Sequence, residues 1–258
     1  TPIHPAQQGG GKQSSYILAL SLDEGKEIYK TPRPDEAKSE SKEAFSTPII
    51  HELNGESQLL ITGGDCITGH DPSTGKEIWR WGTWNPTKIG HWRLVPSPVA
   101  GNGVALACAP KGDPVYAVKL GKSGTLPDSS VSWKGKNEAI ASDVPTPLFY
   151  EGFFYVAHNG KKRSHMLSCV EPSTGKVIWS EDLKVNGKIE ASPTAADGKI
   201  FVMTHHGEVV VVAAGEKFKK IHQTDMGPGR NGIVRSSIAL TDGTALIRTD
   251  DTLFCVGK

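Results

Sequence analysis

The chain has 258 residues, and 29 Lys and Arg against 28 Asp and Glu leave a formal net charge of +1. That balance offers no long-range field to gather nucleic acid or an anionic membrane. The longest apolar run, 209–214, falls far short of the roughly 18 residues that cross a bilayer.

In chain order, residues 1–15 read as a lead. Gly9-Gly10-Gly11-Lys12 matches a phosphate loop in composition only, because no helix pattern follows it. No basic-then-apolar leader opens the sequence, which is the expectation for a secretory signal that is absent, removed or outside this stretch. Two short strands are predicted over Tyr16 to Tyr29, then a polar insert from Arg33 to Lys42, in which 35–42 forms at most one helical turn. From there a pattern recurs. A Pro opens a short apolar strand at Pro48, Pro98, Pro147 and Pro193, and Ser237 takes the slot without Pro; these markers fall 50, 49, 46 and 44 residues apart. An aromatic marker runs in step at Tyr29, Trp79, Trp133, Trp179 and Phe218. Two markers with one period mean repeated supersecondary units.

Between Pro and aromatic lie two more strand-like runs, clearest at 198–204 and 208–213, split by His205-His206-Gly207 as a tight hairpin. Each unit is therefore four antiparallel strands. Pro at a strand's first residue costs no ladder donor, and Gly in the Thr-Gly step supplies the positive φ of the last turn. A four-stranded sheet of about 45 residues repeated around an axis is a β-propeller blade. The expected fold is all-β, a single propeller domain over 1–258 with blade starts near Pro48, Pro98, Pro147, Pro193 and Ser237 and a part blade at 1–31. The two chain ends either complete one blade together, closing five blades, or leave five to six blades of a larger ring. A weaker alternative reads Thr1-Pro2-Ile3-His4 as the start of a blade missing its second strand. The inserts 122–130 and 224–231 read as polar loops.

The units Tyr16 to Tyr29, Asp71-Pro72-Ser73-Thr74-Gly75-Lys76-Glu77-Ile78-Trp79 and Glu171-Pro172-Ser173-Thr174-Gly175-Lys176-Val177-Ile178-Trp179 resemble the repeats of quinoprotein-like propellers, with their apolar-Ala-Leu-Asp-x-x-Thr-Gly-Lys-x-x-Trp pattern. The resemblance covers nearly the whole chain. It implies that Tyr29, Trp79, Trp133 and Trp179 dock neighbouring blades. Rings of this family usually have seven or eight blades, so an incomplete ring is one expectation. In function the family is mixed, holding pyrroloquinoline-quinone-dependent dehydrogenases, cofactor-free scaffolds of the BamB type and many secreted bacterial proteins.

Four cysteines, Cys66, Cys108, Cys169 and Cys255, include no C-x-x-C or vicinal pair, which argues against structural zinc. Cys108, Cys169 and Cys255 lie in apolar stretches and are expected in the core. The dehydrogenases clamp pyrroloquinoline quinone beside Ca²⁺ with carboxylate and amide oxygens; no such run of residues aligns here, and neither cofactor is assigned.

Candidate binding residues fall in two groups at the propeller mouth. Glu43, Arg93, Asp143, Glu190 and Arg235 precede the opening strands, and their mixed signs favour salt bridges over an open ligand site. His158 and His205 sit in equivalent hairpin turns of successive blades, where they are expected to be solvated. Beside them, Trp84 and Trp92 lie outside the repeat slot in the long connection 81–93, either sealing the mouth or gripping a partner; with His91 they also motivate a carbohydrate-binding reading. The leading expectation is a non-enzymatic scaffold, periplasmic or extracellular, holding a protein or small molecule on its loop face. No nucleic acid and no transmembrane segment are expected, and a quinone dehydrogenase is the alternative.

Overall fold

The computed structural model describes residues 15–82, 84–135, 140–158 and 165–257. The echo at Thr1 to His4 and Asn159 of the second-to-third-strand turns lie outside them. The described residues form 22 strands in six sheets, antiparallel except for one parallel edge pair, and among them no helix is long and apolar enough to cross a membrane.

The first sheet is a hairpin, β1 (Tyr16–Leu20) with β2 (Glu27–Pro32). The second, third, fourth and fifth are complete blades running from an inner to an outer strand. The second holds β3 (Ile49–Leu53), β4 (Glu56–Gly63), β5 (Cys66–His70) and β6 (Glu77–Trp81). The third holds β7 (Val99–Gly101), β8 (Val104–Cys108) and β9 (Val115–Lys119), and β11 (Val131–Lys134) closes it, while the intervening β10 (Gly124–Thr125) belongs elsewhere. The fourth is β12 (Leu148–Tyr150), β13 (Phe153–His158), β14 (Met166–Val170) and β15 (Val177–Asp182). The fifth is β16 (Thr194–Ala196), β17 (Lys199–Met203), β18 (Glu208–Ala213) and β19 (Lys220–Asp225). The sixth has three strands, β20 (Ala239–Thr241), β21 (Thr244–Arg248) and β22 (Leu253–Gly257).

Every opening strand starts one residue after its marker Pro, so the missing Pro N–H lies just outside the ladder. The two end sheets do not complete one blade together: β1–β2 and β20–β22 are separate sheets. Among the described residues, four full blades are therefore flanked in sequence by two partial ones, and the two chain ends do not share one blade.

Burial follows the strand pleat, whose period of two sends alternate residues to opposite faces. One row across the fourth blade, Leu148, Tyr155, Cys169 and Trp179, packs with Ile200, Val202, Val210 and Val212 of the fifth. The adjacent row, Phe149, Phe154, Val170 and Val177, packs back on Leu106, Ala117 and Trp133 of the third. Four such clusters between sheets form the core.

The repeated Asp/Glu-Pro-Ser-Thr-Gly-Lys phrase builds the turns before the outer strands β6 and β15. Asp71 Oδ1 accepts from the backbone N–H of Ser73 at 2.7 Å and of Thr74 at 3.1 Å. Gly75 (φ +72°) and Gly175 (φ +71°) occupy the left-handed region, where glycine carries no Cβ penalty. A Cβ on Gly75 would collide with the Tyr29 ring of the preceding sheet, and one on Gly175 would meet Trp133 at 2.5 Å. The same glycine thus makes the turn and leaves room for the neighbouring ring.

Candidate functional site

Three of the four repeat aromatics reach across to the next sheet's turn. Tyr29 donates from its hydroxyl to Pro72 O at 3.0 Å, Trp133 Nε1 to Pro172 O at 2.7 Å, and Trp179 Nε1 to Gly215 O at 2.9 Å. Trp79 differs: its Nε1 donates to Gln58 of its own blade at 2.9 Å, over Gly69. In the next blade the tight turn is replaced by the insert, and β10 pairs in parallel with β6, Gly124 opposite Trp79 and Thr125 opposite Arg80. The expected polar loop 122–130 is therefore an extra edge strand on the second blade. The fifth aromatic marker shifts too. Phe218 precedes β19 and stands edge-on against Trp179, 5.2 Å between centroids; the slot opposite Val211 is filled by His222.

The inner ends of the blades are joined by a hydroxyl relay. The backbone N–H of Thr47 donates to Ser97 Oγ, that of Ser97 to Thr146 Oγ1, that of Thr146 to Ser192 Oγ and that of Ser192 to Ser237 Oγ, at 2.8–3.0 Å. In the first four units this residue immediately precedes Pro, which holds it extended and leaves its N–H no ladder partner. The Ser or Thr recurring at that slot was the signal in the sequence.

At the mouth, the loops leading into the second and third blades clasp each other. Ala44 and Leu94 form a parallel bridge, and Phe45 N donates to Leu94 O at 2.8 Å. Arg93 bridges Glu43 at 2.8 Å and Glu40 at 3.0 Å. Ser41, in the 3₁₀ turn Ser39–Lys42, donates to Ile89 O at 2.6 Å and accepts from Trp92 N at 2.9 Å. Beneath the clasp, Asn85 Nδ2 donates to buried Asp65 at 2.9 Å and to Ile89 O at 3.0 Å. Burial pushes the Asp65 carboxyl up, opposed by the Asn85 bond and by Lys88. Arg33, arriving from β2, donates through Nη2 to Thr68 Oγ1 at 3.3 Å and Gly63 O at 3.4 Å, and burial lowers its pKa. Thr68 Oγ1 in turn lies 2.9 Å from His70 Nε2, a ring that burial holds below its ordinary pKa.

On the other side of the mouth, Arg235 bonds Glu190 at 2.9 Å, and His205 Nε2 lies 2.8 Å from the same carboxylate in a contact too bent to satisfy that nitrogen. Burial alone would raise Glu190; His205 and Arg235 outweigh it and hold the carboxyl low. Between the two clusters, Asp143 accepts from Lys111 N at 2.5 Å.

The expected mouth charges thus assemble as Glu43 with Arg93 and Glu190 with Arg235, each pair spanning neighbouring sheets. Of the two readings of Trp84, the structure takes the sealing one: it is 4 % exposed and packs tilted against Trp81 inside the core, 5.7 Å between ring centroids, while Trp92 stays half-buried and His91 exposed. Two other expectations are corrected. His158 is buried at the end of β13 rather than solvated. Cys255 is exposed, whereas Cys66, Cys108 and Cys169 are buried. Sequence reasoning missed Arg33, the Asp65–Asn85 bond and the role of Glu40, because each depends on which loops meet.

Among the described residues no group of three or more His, Cys, Asp or Glu side chains converges to hold a metal ion. The mouth carboxylates are engaged by arginine, histidine or backbone N–H. Such a donor set does not fit a Ca²⁺-quinone clamp, which needs free oxygens.

Radially arranged four-stranded sheets tied by a Gly-Lys-x-x-Trp repeat define a β-propeller protein of the quinoprotein-like repeat class. The family model described as outer membrane protein assembly factor BamB matches residues 66–254, and the chain belongs to that family. No match is found among curated proteins. Among solved structures it is similar to BamB from Moraxella catarrhalis, with TM-score 0.63, 13 % identity, and coverage of 94 % of this chain and 68 % of that one. It is also similar to quinohemoprotein alcohol dehydrogenase from Comamonas testosteroni, with TM-score 0.61, 14 % identity, and coverage of 85 % and 43 %, and to Sqt1 from Saccharomyces cerevisiae, with TM-score 0.61, 8 % identity, and coverage of 92 % and 64 %. At these identities the likeness is one of fold.

Proposed function

We propose that the protein is a non-enzymatic propeller scaffold of the cell envelope that holds a protein partner on its mouth face. The observation that supports it most is the clasp of residues 35–45 on 84–94, with Arg93 shared between Glu40 and Glu43. It builds a broad polar rim of paired charges around half-buried Trp92 and exposed Phe45 and His91. Polar rims with aromatic and Arg anchors suit protein recognition. Membership of the BamB family agrees with a scaffold role and with an envelope location.

The test is cross-linked capture from an envelope extract using the wild-type chain, Arg93→Glu and Trp92→Ala. A single partner retained by wild type and lost by both folded variants supports the reading. Saturable binding of pyrroloquinoline quinone with Ca²⁺, followed by absorbance and dye-linked turnover of alcohols or aldoses, would replace it with the dehydrogenase alternative. Trp92-dependent binding on a glycan array would favour a carbohydrate ligand.

A further inference from the structure

Of the four repeat aromatics, Trp79 is the one whose N–H turns back into its own blade, and what receives it is out of place in the repeat. Register matches the row Leu148, Tyr155, Cys169 and Trp179 of the fourth blade with Ile49, Leu60, Gly69 and Trp79 of the second. Two residues earlier on the second strand, on the same face, the fourth blade has Phe153 and the second has Gln58. Phe153 packs on the hydrophobic cluster around Trp179. Gln58 puts an amide in that slot and is only 6 % exposed. A polar group buried so deeply costs free energy unless its donors and acceptor are met.

Half of this amide is met. Gln58 Oε1 accepts from Trp79 Nε1 at 2.9 Å. An indole N–H can only donate, so the bond fixes the amide with its Nε2 turned away from the ring. That Nε2 donates to no described residue, and Gln58 lines a groove of about 430 Å³, a volume within the range of small-molecule sites. At the junctions of Trp133 and Trp179 a turn of the next blade lies against the indole. Here the insert has replaced that turn, and the groove runs between the β3–β4 turn and residues 121–123. Leu53 and half-buried Ile78 give it an apolar wall. Glu56 from β4 and Lys122 from the insert also line it, both exposed, and among the described residues neither has an ion-pair partner.

We infer that this groove binds a zwitterion, its carboxylate received by Gln58 Nε2 and Lys122, its ammonium by Glu56 and an apolar side chain by Leu53 and Ile78. An apolar amino acid, free or as a short peptide, has that chemistry. The donors come from two elements and the acceptor from a third position, so both charges are needed for a good fit. The groove lies at the end of β4 away from Asp65 and the mouth, and its test is independent of the mouth-face reading.

The test is calorimetric titration of the folded 258-residue chain with L-leucine and with L-leucyl-L-leucine. Saturable binding is expected, and the tighter of the two probes distinguishes the free amino acid from the peptide. N-acetyl-leucine, which lacks the ammonium, and leucinamide, which lacks the carboxylate, should each bind at least tenfold more weakly than leucine. Lys122→Ala should erase the preference for leucine over leucinamide, and Glu56→Gln the preference over N-acetyl-leucine; both positions are exposed, so the fold tolerates the changes. Gln58→Glu keeps an acceptor for Trp79 but replaces the donor with a carboxylate, and should abolish binding. Should that variant fail to fold, the two exposed variants decide the matter alone. No saturable binding of either probe at millimolar concentration overturns the proposal. So does binding that neither exposed variant weakens, and Gln58 would then serve only as the partner of Trp79.

Discussion

The junction between the second and third blades and the junction between the fourth and fifth use the same residue in different ways. Trp179 spends its indole N–H on the next blade's turn, at Gly215 O, while its ring meets Tyr155 and Phe218. Trp79 is packed more deeply still, yet its N–H stays within its own blade on Gln58. At that junction the neighbour's tight turn has been replaced by the insert 121–130, which reaches back to add β10 to β6. Leu126 N donates to Arg80 O at 2.8 Å and Leu126 is buried with Trp79 and Trp81. A directional bond at one junction is thus exchanged for a strand at the other. The repeat conserves the burial of an aromatic ring between sheets and leaves the polar tie free to vary, because area removed from water dominates the energy and one hydrogen bond adds only about 1 kcal/mol.

The largest expected effects come from the rings themselves. Trp79→Ala and Trp179→Ala should each cost about 3–5 kcal/mol, read from denaturant midpoints, with Trp79→Ala at the upper end because it is fully buried and also orphans buried Gln58. Equal losses at a non-docking aromatic such as Tyr16 would break the argument. Next is the strand tie. Leu126→Ala should cost about 2–3 kcal/mol and raise hydrogen exchange at the backbone N–H of residue 126, which donates to Arg80 O, without touching the fourth and fifth blades. A glycine pair sharpens the turn argument. Gly25 (φ +66°) has nothing within 4 Å of a new Cβ, whereas Gly175 faces the Trp133 ring at 2.5 Å. Both Ala variants pay for the left-handed backbone, about 1 kcal/mol, but Gly175→Ala must also displace the ring, so its fall in Tm should be at least twice that of Gly25→Ala.

The smallest effect concerns pH. Burial would raise Glu171, yet hydrogen bonds from the hydroxyls and backbone N–H groups of Thr174 and Ser173 hold it at about 2, against an ordinary 4.5. A carboxyl lowered on folding adds stability that is complete above 4.5 and is lost as the pH falls toward 2. The group is largely exposed, so screening keeps the contribution small. Glu171→Gln should flatten the stability curve of the fourth blade between pH 4.5 and 2, and an unchanged slope would remove the carboxylate from the account.

Much of this was legible beforehand. Pro48, Pro98, Pro147 and Pro193 mark strands that begin at the following residue, and the mixed charges at the mouth do form ion pairs. The failures share a cause. Phe218 looked like the fifth aromatic marker, but register gives that slot to His222, since a period counted along the chain cannot see a bulge. Trp84 could be read either as sealing the mouth or as gripping a partner, because its polar flanks in sequence are not its neighbours in space, where it is buried. Cys255 and Cys169 occupy similar apolar stretches and identical register positions, yet one is exposed and one buried.

By itself the sequence determined the local rules of this protein: the period, the four-strand unit, the turn glycines and the aromatic that each unit presents. These depend on φ preferences and on alternation along a strand, which act between near neighbours. Only the tertiary structure decided what lies against each sheet, hence the clasp over Asp65, the strand that replaces a turn beside Trp79, and the exposure of Cys255. Burial belongs to the surface left after sheets meet, and that surface is set by contacts tens of residues apart that no local pattern encodes.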